Sequence, residues 1–132
     1  MSDSQTYVWP KEYPIDVPSK DAKPAVGYVY RLVSQVPPTQ DDFKITRLDN
    51  TNRKFKKIEI SGSYGLSLWS TLESMIRAKK RYFYAEQYGN KKIVGGELCP
   101  TLGVIVKNTD DHVTLWKQDG AEPHRHICEE AL

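Results

Sequence analysis

Apolar and aromatic residues first gather in Val26-Gly27-Tyr28-Val29-Tyr30-Arg31-Leu32-Val33, where β-branched and aromatic types alternate as in a strand. Alternation puts Arg31 on the side of Val29 and Val33, opposite Tyr28, Tyr30 and Leu32. Pro37-Pro38 then ends extended structure, and Thr39 is placed to cap a short helix through Asp41-Asp42-Phe43. Residues 46–57 are polar and basic, as expected of a long loop, and Ile58-Glu59-Ile60 predicts a short strand. Ser70 with Glu73 three residues on matches a capping box. Leu72, Met75, Ile76 and Phe83 then mark one face of a helix running through Arg81, with Gly89 as its stop. After Gly89-Asn90 come three runs that read as strands: Lys92 to Leu98, Leu102 to Val106, and His112 to Trp116. His124 to Cys128 predicts a last strand before the acidic end. Short links favour antiparallel pairing. The expected fold is α+β, a small and mostly antiparallel sheet of about five strands with one main helix, spanning 25–132. Residues 1–24 hold Pro10, Pro14, Pro18 and Pro24 among Tyr7, Trp9 and Tyr13. Prolines at that spacing exclude a helix or a central strand, so an extended arm lying on the domain or on a partner is expected.

Composition narrows the class. The chain has 132 residues, 39% hydrophobic and 27% charged, the size of one domain with aromatic mass for a core. No apolar stretch is long enough for a membrane span, and no membrane partner is expected. Two cysteines, Cys99 and Cys128, without a secretion-type start fit free thiols in the cytoplasm. Net charge is only +2, yet 44–92 sums to +8 between ends of −2 and −4. Such a middle is either a solvated face or a surface for phosphate-bearing partners.

Several side-chain groups carry candidate chemistry. Arg31, a cation within an apolar strand, needs a carboxylate or phosphate partner. Tyr64-Gly65-Leu66-Ser67-Leu68-Trp69-Ser70-Thr71 combines rings, hydroxyls and a helix start. His112, Thr114 and Trp116 share one strand face, an imidazole beside a hydroxyl and an indole. Arg53, Lys54, Lys56 and Lys57 in the loop, and Arg77, Lys80 and Arg81 on the helix, form a basic set interleaved with Tyr82, Tyr84 and Tyr88. Stacking plus phosphate neutralisation is the logic of single-strand nucleic-acid binding. His124, His126 and Cys128 with Cys99 lack the spacing of a zinc finger or ribbon, so no metal is expected.

The order Tyr30-Arg31-Leu32, Pro37-Pro38-Thr39 with Asp42-Phe43, Gly65-Leu66-Ser67, and His112 with Thr114-Leu115-Trp116 resembles a group of short bacterial proteins of no established activity. They share a YR-L, PPT-x-x-DF, GLS and H-x-TLW skeleton, and the resemblance covers about 28–116. More loosely, the chain resembles the ADP-ribosyltransferase superfamily. Its members pair an aromatic-Arg strand with a Gly-containing, Ser/Thr-rich strand leading into a helix, completed by a glutamate on a later strand. That resemblance implies NAD as cofactor, with Arg31 at the phosphates, Tyr30 beside it among the cofactor-binding residues, and Ser67 shaping the nicotinamide pocket. It further implies that Tyr64 or Trp116 stacks on the ring beside Thr114, and that Glu97 or His112 is the catalytic polar group.

Two functions are therefore expected in competition. One is a nucleotide-ligand-binding protein, in its finer form an ADP-ribosyltransferase-like enzyme using NAD and acting on a small molecule or a protein target. The other is a non-catalytic protein that binds nucleic acid or a protein partner through the basic set, in a toxin, defence or phage setting. The first needs Arg31, Ser67 and His112 to meet around one hollow.

Overall fold

The computed structural model describes residues 7–49, 54–81, 91–108 and 110–131. Seven strands form one sheet: β1 (Lys23–Pro24), β2 (Tyr28–Val33), β3 (Leu66–Trp69), β4 (Lys92–Glu97), β5 (Gly103–Lys107), β6 (His112–Lys117) and β7 (Glu129–Glu130). Their order is β1-β5-β6-β3-β2-β4-β7, and every pairing is antiparallel. Among the described residues three α-helical segments, α1 (Thr46–Asp49), α2 (Ile60–Ser63) and α3 (Leu72–Arg81), accompany the sheet in an α+β fold, and of these only α3 exceeds one turn. Among the described residues no helix is long and apolar enough to cross a membrane. Cys99 and Cys128 are free thiols.

Seven strands replace the expected five or so for local reasons. β1 and β7 are two-residue edge pairings, too short to leave a pattern in the sequence, and β3, four residues long, adds a strand that the patterned runs did not include. The strand expected at Ile58-Glu59-Ile60 is helical instead, a 3-10 turn Lys57–Glu59 running into α2. There the Glu59 carboxylate accepts the Lys56 N–H at 2.9 Å, and this cap overrides the β-branched pattern. The strand expected over His124–Cys128 is also absent. Pro123–Arg125 forms a 3-10 turn, closed by bonds from the Arg125 N–H to the Glu122 carbonyl and from the His126 N–H to the Pro123 carbonyl. The long loop at 46–57 begins with α1. Helix α3 is capped by Thr71 rather than Ser70: Thr71 Oγ1 accepts the Ser74 N–H at 3.0 Å. The Ser70 hydroxyl turns away to the Asp111 carboxylate. Phe83 and Gly89 lie outside the described residues.

Strand alternation builds a two-faced sheet. Val29, Val33, Leu66, Leu68, Val94, Val113 and Leu115 point to one side and are roofed by Phe43, Leu98, Leu102 and Ile127. Each buried leucine there is worth about 2 kcal/mol of transfer free energy. The opposite face has two separate apolar covers. Over β2, β3 and β4, helix α3 lays Met75 and Ala78 on Tyr30, Leu32, Trp69 and Ile93. Over β5 and β6, the N-terminal arm lays Trp9, Tyr13 and Val17 on Val104, Val106 and Trp116. The arm thus docks on its own domain. Tyr7, Trp9 and Tyr13 stack in series, with centroids 5.2 and 6.0 Å apart. Val8 is pinned through both backbone groups, its carbonyl accepting the Asp119 N–H and its N–H donating to Gln118 Oε1.

The short helix predicted at 40–43 is a 3-10 turn that Asp42 organises. Its carboxylate accepts the Ser34 N–H at 2.9 Å, the Ser34 hydroxyl at 2.7 Å and the Thr39 N–H at 3.0 Å. Burial pushes the Asp42 carboxyl up, but these hydrogen bonds and the Lys91 charge outweigh it and hold the group below its ordinary value. A depressed carboxylate adds stability above its unfolded pKa and loses it as pH falls through the folded one. Asp42→Asn is therefore expected to cost ~1–2 kcal/mol at neutral pH. Urea titrations should show the difference closing in strong acid, where the wild-type carboxyl is also neutral.

Candidate functional site

Between the two covers of the second face, β3 and β6 expose a polar strip. Alternation that buries Leu66 and Leu68 in the core turns Ser67 and Trp69 to the second face, and likewise Val113 and Leu115 leave His112 and Thr114 on it; Ser67 and His112 there are half-buried. The register pairs Ser67 with Thr114 and Trp69 with His112, so the imidazole lies diagonally across from the serine hydroxyl. His112 Nε2 is 3.1 Å from Ser67 Oγ. Its other ring nitrogen, Nδ1, is 3.2 Å from the Asn108 amide Nδ2. The loop joining β5 to β6 makes this possible: the Asn108 N–H bonds the His112 carbonyl at 2.8 Å, folding the amide back over the ring. Asp111 turns that loop with φ +67, and its carbonyl accepts the Ser70 N–H.

The flanks of the strip are aromatic. Trp69 meets the His112 ring edge-on at 4.9 Å and 73°. On the other side, α1 sets Thr46 Oγ1 3.3 Å from Ser67 Oγ, anchored by the bond from the Thr46 N–H to the Gly65 carbonyl. Gly65 lets β6 pack closely here, because a Cβ there would stand 2.5 Å from Thr114 Cγ2. The next residue, Arg47, holds its guanidinium 4.3 Å over the Tyr64 ring and 6.0 Å from Phe55. Burial lowers the His112 pKa, with Asp110 opposing, so the ring is neutral at pH 7. A neutral imidazole with one lone pair is able to take a proton.

Of the residues expected to converge, Ser67 and His112 do and Arg31 does not. Arg31 points to the core face, 8% exposed. Its Nε–H donates to the Asp42 carbonyl at 2.7 Å, and its two terminal nitrogens donate to the Ser67 carbonyl at 2.8 Å and the Lys44 carbonyl at 3.3 Å. The Phe43 ring lies 5.4 Å from its Cζ. The guanidinium is a strut joining β2, β3 and the 42–44 segment, and the expected phosphate clamp is corrected accordingly. β2 meets β3 in register only at Tyr30 and Trp69, and the Arg31 fork adds one bond to β3, at the Ser67 carbonyl. Glu97 is exposed at the end of β4, with β2 between it and β3, so it does not join the strip. Trp116 is 3% exposed and donates its Nε1–H to the Ser61 carbonyl, which corrects its role as a stacking ring. Tyr30 packs under α3, edge-to-face with Tyr28, and Thr114 is buried against Gly65. Tyr64, half-buried beside Arg47, remains at the margin of the strip.

Within the basic set, Lys54, Lys56 and Lys57 are exposed ahead of α2, and Arg77 and Lys80 are exposed on α3. Arg53, Tyr82, Tyr84 and Tyr88 lie outside the described residues, and of Arg81 only the backbone is described. Among the described residues no group of three His, Cys, Asp or Glu is placed to hold a metal.

Thr46, Arg47, Asn108 and Asp110 join the site without having been singled out in the sequence. Asn108 carried a usable signal, because Asn-Thr-Asp-Asp between two strands marks a tight loop whose first residue faces the strand that follows. Thr46 carried none, since its place depends on α1 folding back over β3. No protein-family model, no curated protein and no solved structure matches this chain.

Proposed function

We propose that this chain binds a nucleotide-type ligand over the polar strip formed by Thr46, Ser67, Asn108 and His112. The observation that carries the reading is the 3.1 Å contact between the half-buried Ser67 and His112 on adjacent strands, between two aromatic flanks. Two hydroxyls, an amide and an imidazole are a donor and acceptor set suited to ribose hydroxyls and a base edge, and rings at both margins suit a flat heterocycle. Arg47, held over Tyr64 one residue from Thr46, is the guanidinium placed to meet phosphate.

The ADP-ribosyltransferase resemblance gains one kind of support. The strand bearing Tyr30-Arg31, the strand bearing Gly65-Leu66-Ser67 and the strand bearing His112 lie side by side in the order β2-β3-β6. Its catalytic set is another matter, because Arg31 is spent on main-chain carbonyls and Glu97 stands apart. Departure of nicotinamide as an oxocarbenium-like species needs a nearby anion, and among the described residues the only carboxylate the His112 ring senses is Asp110, through its charge alone and against the larger effect of burial. Binding is accordingly the function proposed, and transfer from NAD is not.

Saturation-transfer NMR with NAD, ATP and adenosine tests the reading. Transfer to ring and ribose protons is expected with all three. Arg47→Ala should weaken the two phosphate-bearing ligands about tenfold, the ~1.5 kcal/mol of one charged hydrogen bond, and leave adenosine unchanged. Absence of transfer from the wild-type protein to all three at millimolar concentration would rule the proposal out.

A further inference from the structure

Ser67, His112 and Asn108 also stand in the geometry of an activated hydroxyl. We infer that Ser67 is a nucleophile toward carboxylic esters and related acyl or phosphonyl electrophiles, with His112 as its base and Asn108 as the residue that positions the base. This goes beyond the nucleotide reading and does not rest on it.

A hydroxyl nucleophile needs a base within hydrogen-bond reach and a third group that fixes the base's tautomer. The 3.1 Å and 3.2 Å contacts of the two ring nitrogens meet both distances. As placed, the Asn108 Nδ2–H faces Nδ1, so Nδ1 accepts and the ring proton sits on Nε2, donating to Ser67 Oγ. That is a resting arrangement. Half a turn of the Asn108 amide presents Oδ1 to the same atom, moves the ring proton to Nδ1 and leaves Nε2 to accept from the Ser67 hydroxyl. Asn108 is exposed, a position from which its amide is able to turn. The Thr46 hydroxyl stands 3.3 Å from Ser67 Oγ, beside the attacking oxygen.

The step balances without a cofactor. Ser67 Oγ bonds to the acyl carbon as its proton passes to His112 Nε2. The carbon–oxygen bond to the leaving group breaks, and the departing alkoxide takes the proton from Nε2. Water then gives its proton to the same nitrogen and bonds to the acyl carbon; the bond from that carbon to Ser67 Oγ breaks, the acid leaves, and Oγ takes the proton back from Nε2.

Intact-mass and peptide mapping after incubation with a fluorophosphonate, a probe that captures activated serine hydroxyls, decides the matter. One adduct on the Ser67 peptide is expected, formed at least tenfold faster than any on exposed Ser34. His112→Gln should slow it at least tenfold. Asn108→Ala should slow it severalfold and Asn108→Asp should restore it, since only an acceptor at that position holds Nδ1–H. The exposed position of Asn108 keeps both variants folded, which circular dichroism verifies. No adduct on Ser67 in the wild-type protein, an equal rate on Ser34, or a rate indifferent to both His112→Gln and Asn108→Ala each overturns the inference. None of these readouts involves a nucleotide, so failure here leaves the binding experiment to stand or fall separately.

Discussion

Arg31→Met is expected to lower the stability of the chain by ~3–5 kcal/mol, among the largest effects any single substitution should produce here. Methionine keeps an unbranched apolar stem against Phe43 but supplies no donor. The carbonyls of Asp42, Lys44 and Ser67 would each lose the guanidinium hydrogen bond that serves them. A buried acceptor left without a donor costs ~1–3 kcal/mol. The three losses do not sum fully, because the 42–44 segment is free to shift and admit water. Arg31→Lys should recover less than half, since one ammonium cannot span the directions that a planar five-donor fork reaches. Urea unfolding followed by tryptophan fluorescence reads both variants. A loss under ~1 kcal/mol for Arg31→Met would mean that water serves these carbonyls equally well. In that case the guanidinium would be available to an anionic ligand after all, and the phosphate-clamp reading would return.

What the sequence disclosed follows the range of the interactions involved. The β2 strand, the turn at Asp42 and helix α3 were readable because their signals are local: alternation, a capping residue three positions from its partner, and a helical stripe. Alternation along β6 also put His112 on the face opposite Val113 and Leu115, which is half of the site. Ile58-Glu59-Ile60 misled because two β-branched residues outweigh nothing once Glu59 closes a cap on Lys56. Arg31 is the instructive case. Its strand position correctly placed it beside Val29 and Val33, and that very placement removes it from the face that carries Ser67 and His112. A buried cation demands acceptors, but the sequence does not say whether they come from a ligand or from three main-chain carbonyls brought in by 42–44 and β3. The meeting of Thr46, Ser67, Asn108 and His112 is likewise a product of the β3–β6 register and of α1 folding over β3, both set by long-range pairing.

Gly103→Ala is expected to destabilise the fold by ~3–5 kcal/mol for reasons unrelated to the site. Gly103 ends the 3-10 turn Pro100–Leu102 and starts β5 with φ +148 and ψ −143, a region that residues with a Cβ scarcely enter. The added methyl carbon would also stand 2.0 Å from the Trp116 carbonyl oxygen and 3.0 Å from Lys117 Cα, in the strand that β5 pairs with. Backbone atoms in a ladder cannot swing aside as a side-chain tip does. Either β5 and β6 separate at this end, or Trp116 moves and loosens its contact with Trp9, Tyr13 and Val17 of the arm. Gly27→Ala separates the two causes. Gly27 has φ +101, yet nothing lies within 4 Å of the Cβ position, so it should cost only the backbone strain of ~1–2 kcal/mol. Thermal unfolding of both variants should therefore show Gly103→Ala melting well below Gly27→Ala. Equal losses would show that the β5–β6 ladder yields at Gly103, and that the arm is held on the sheet by its own aromatic stack rather than by the position of Trp116.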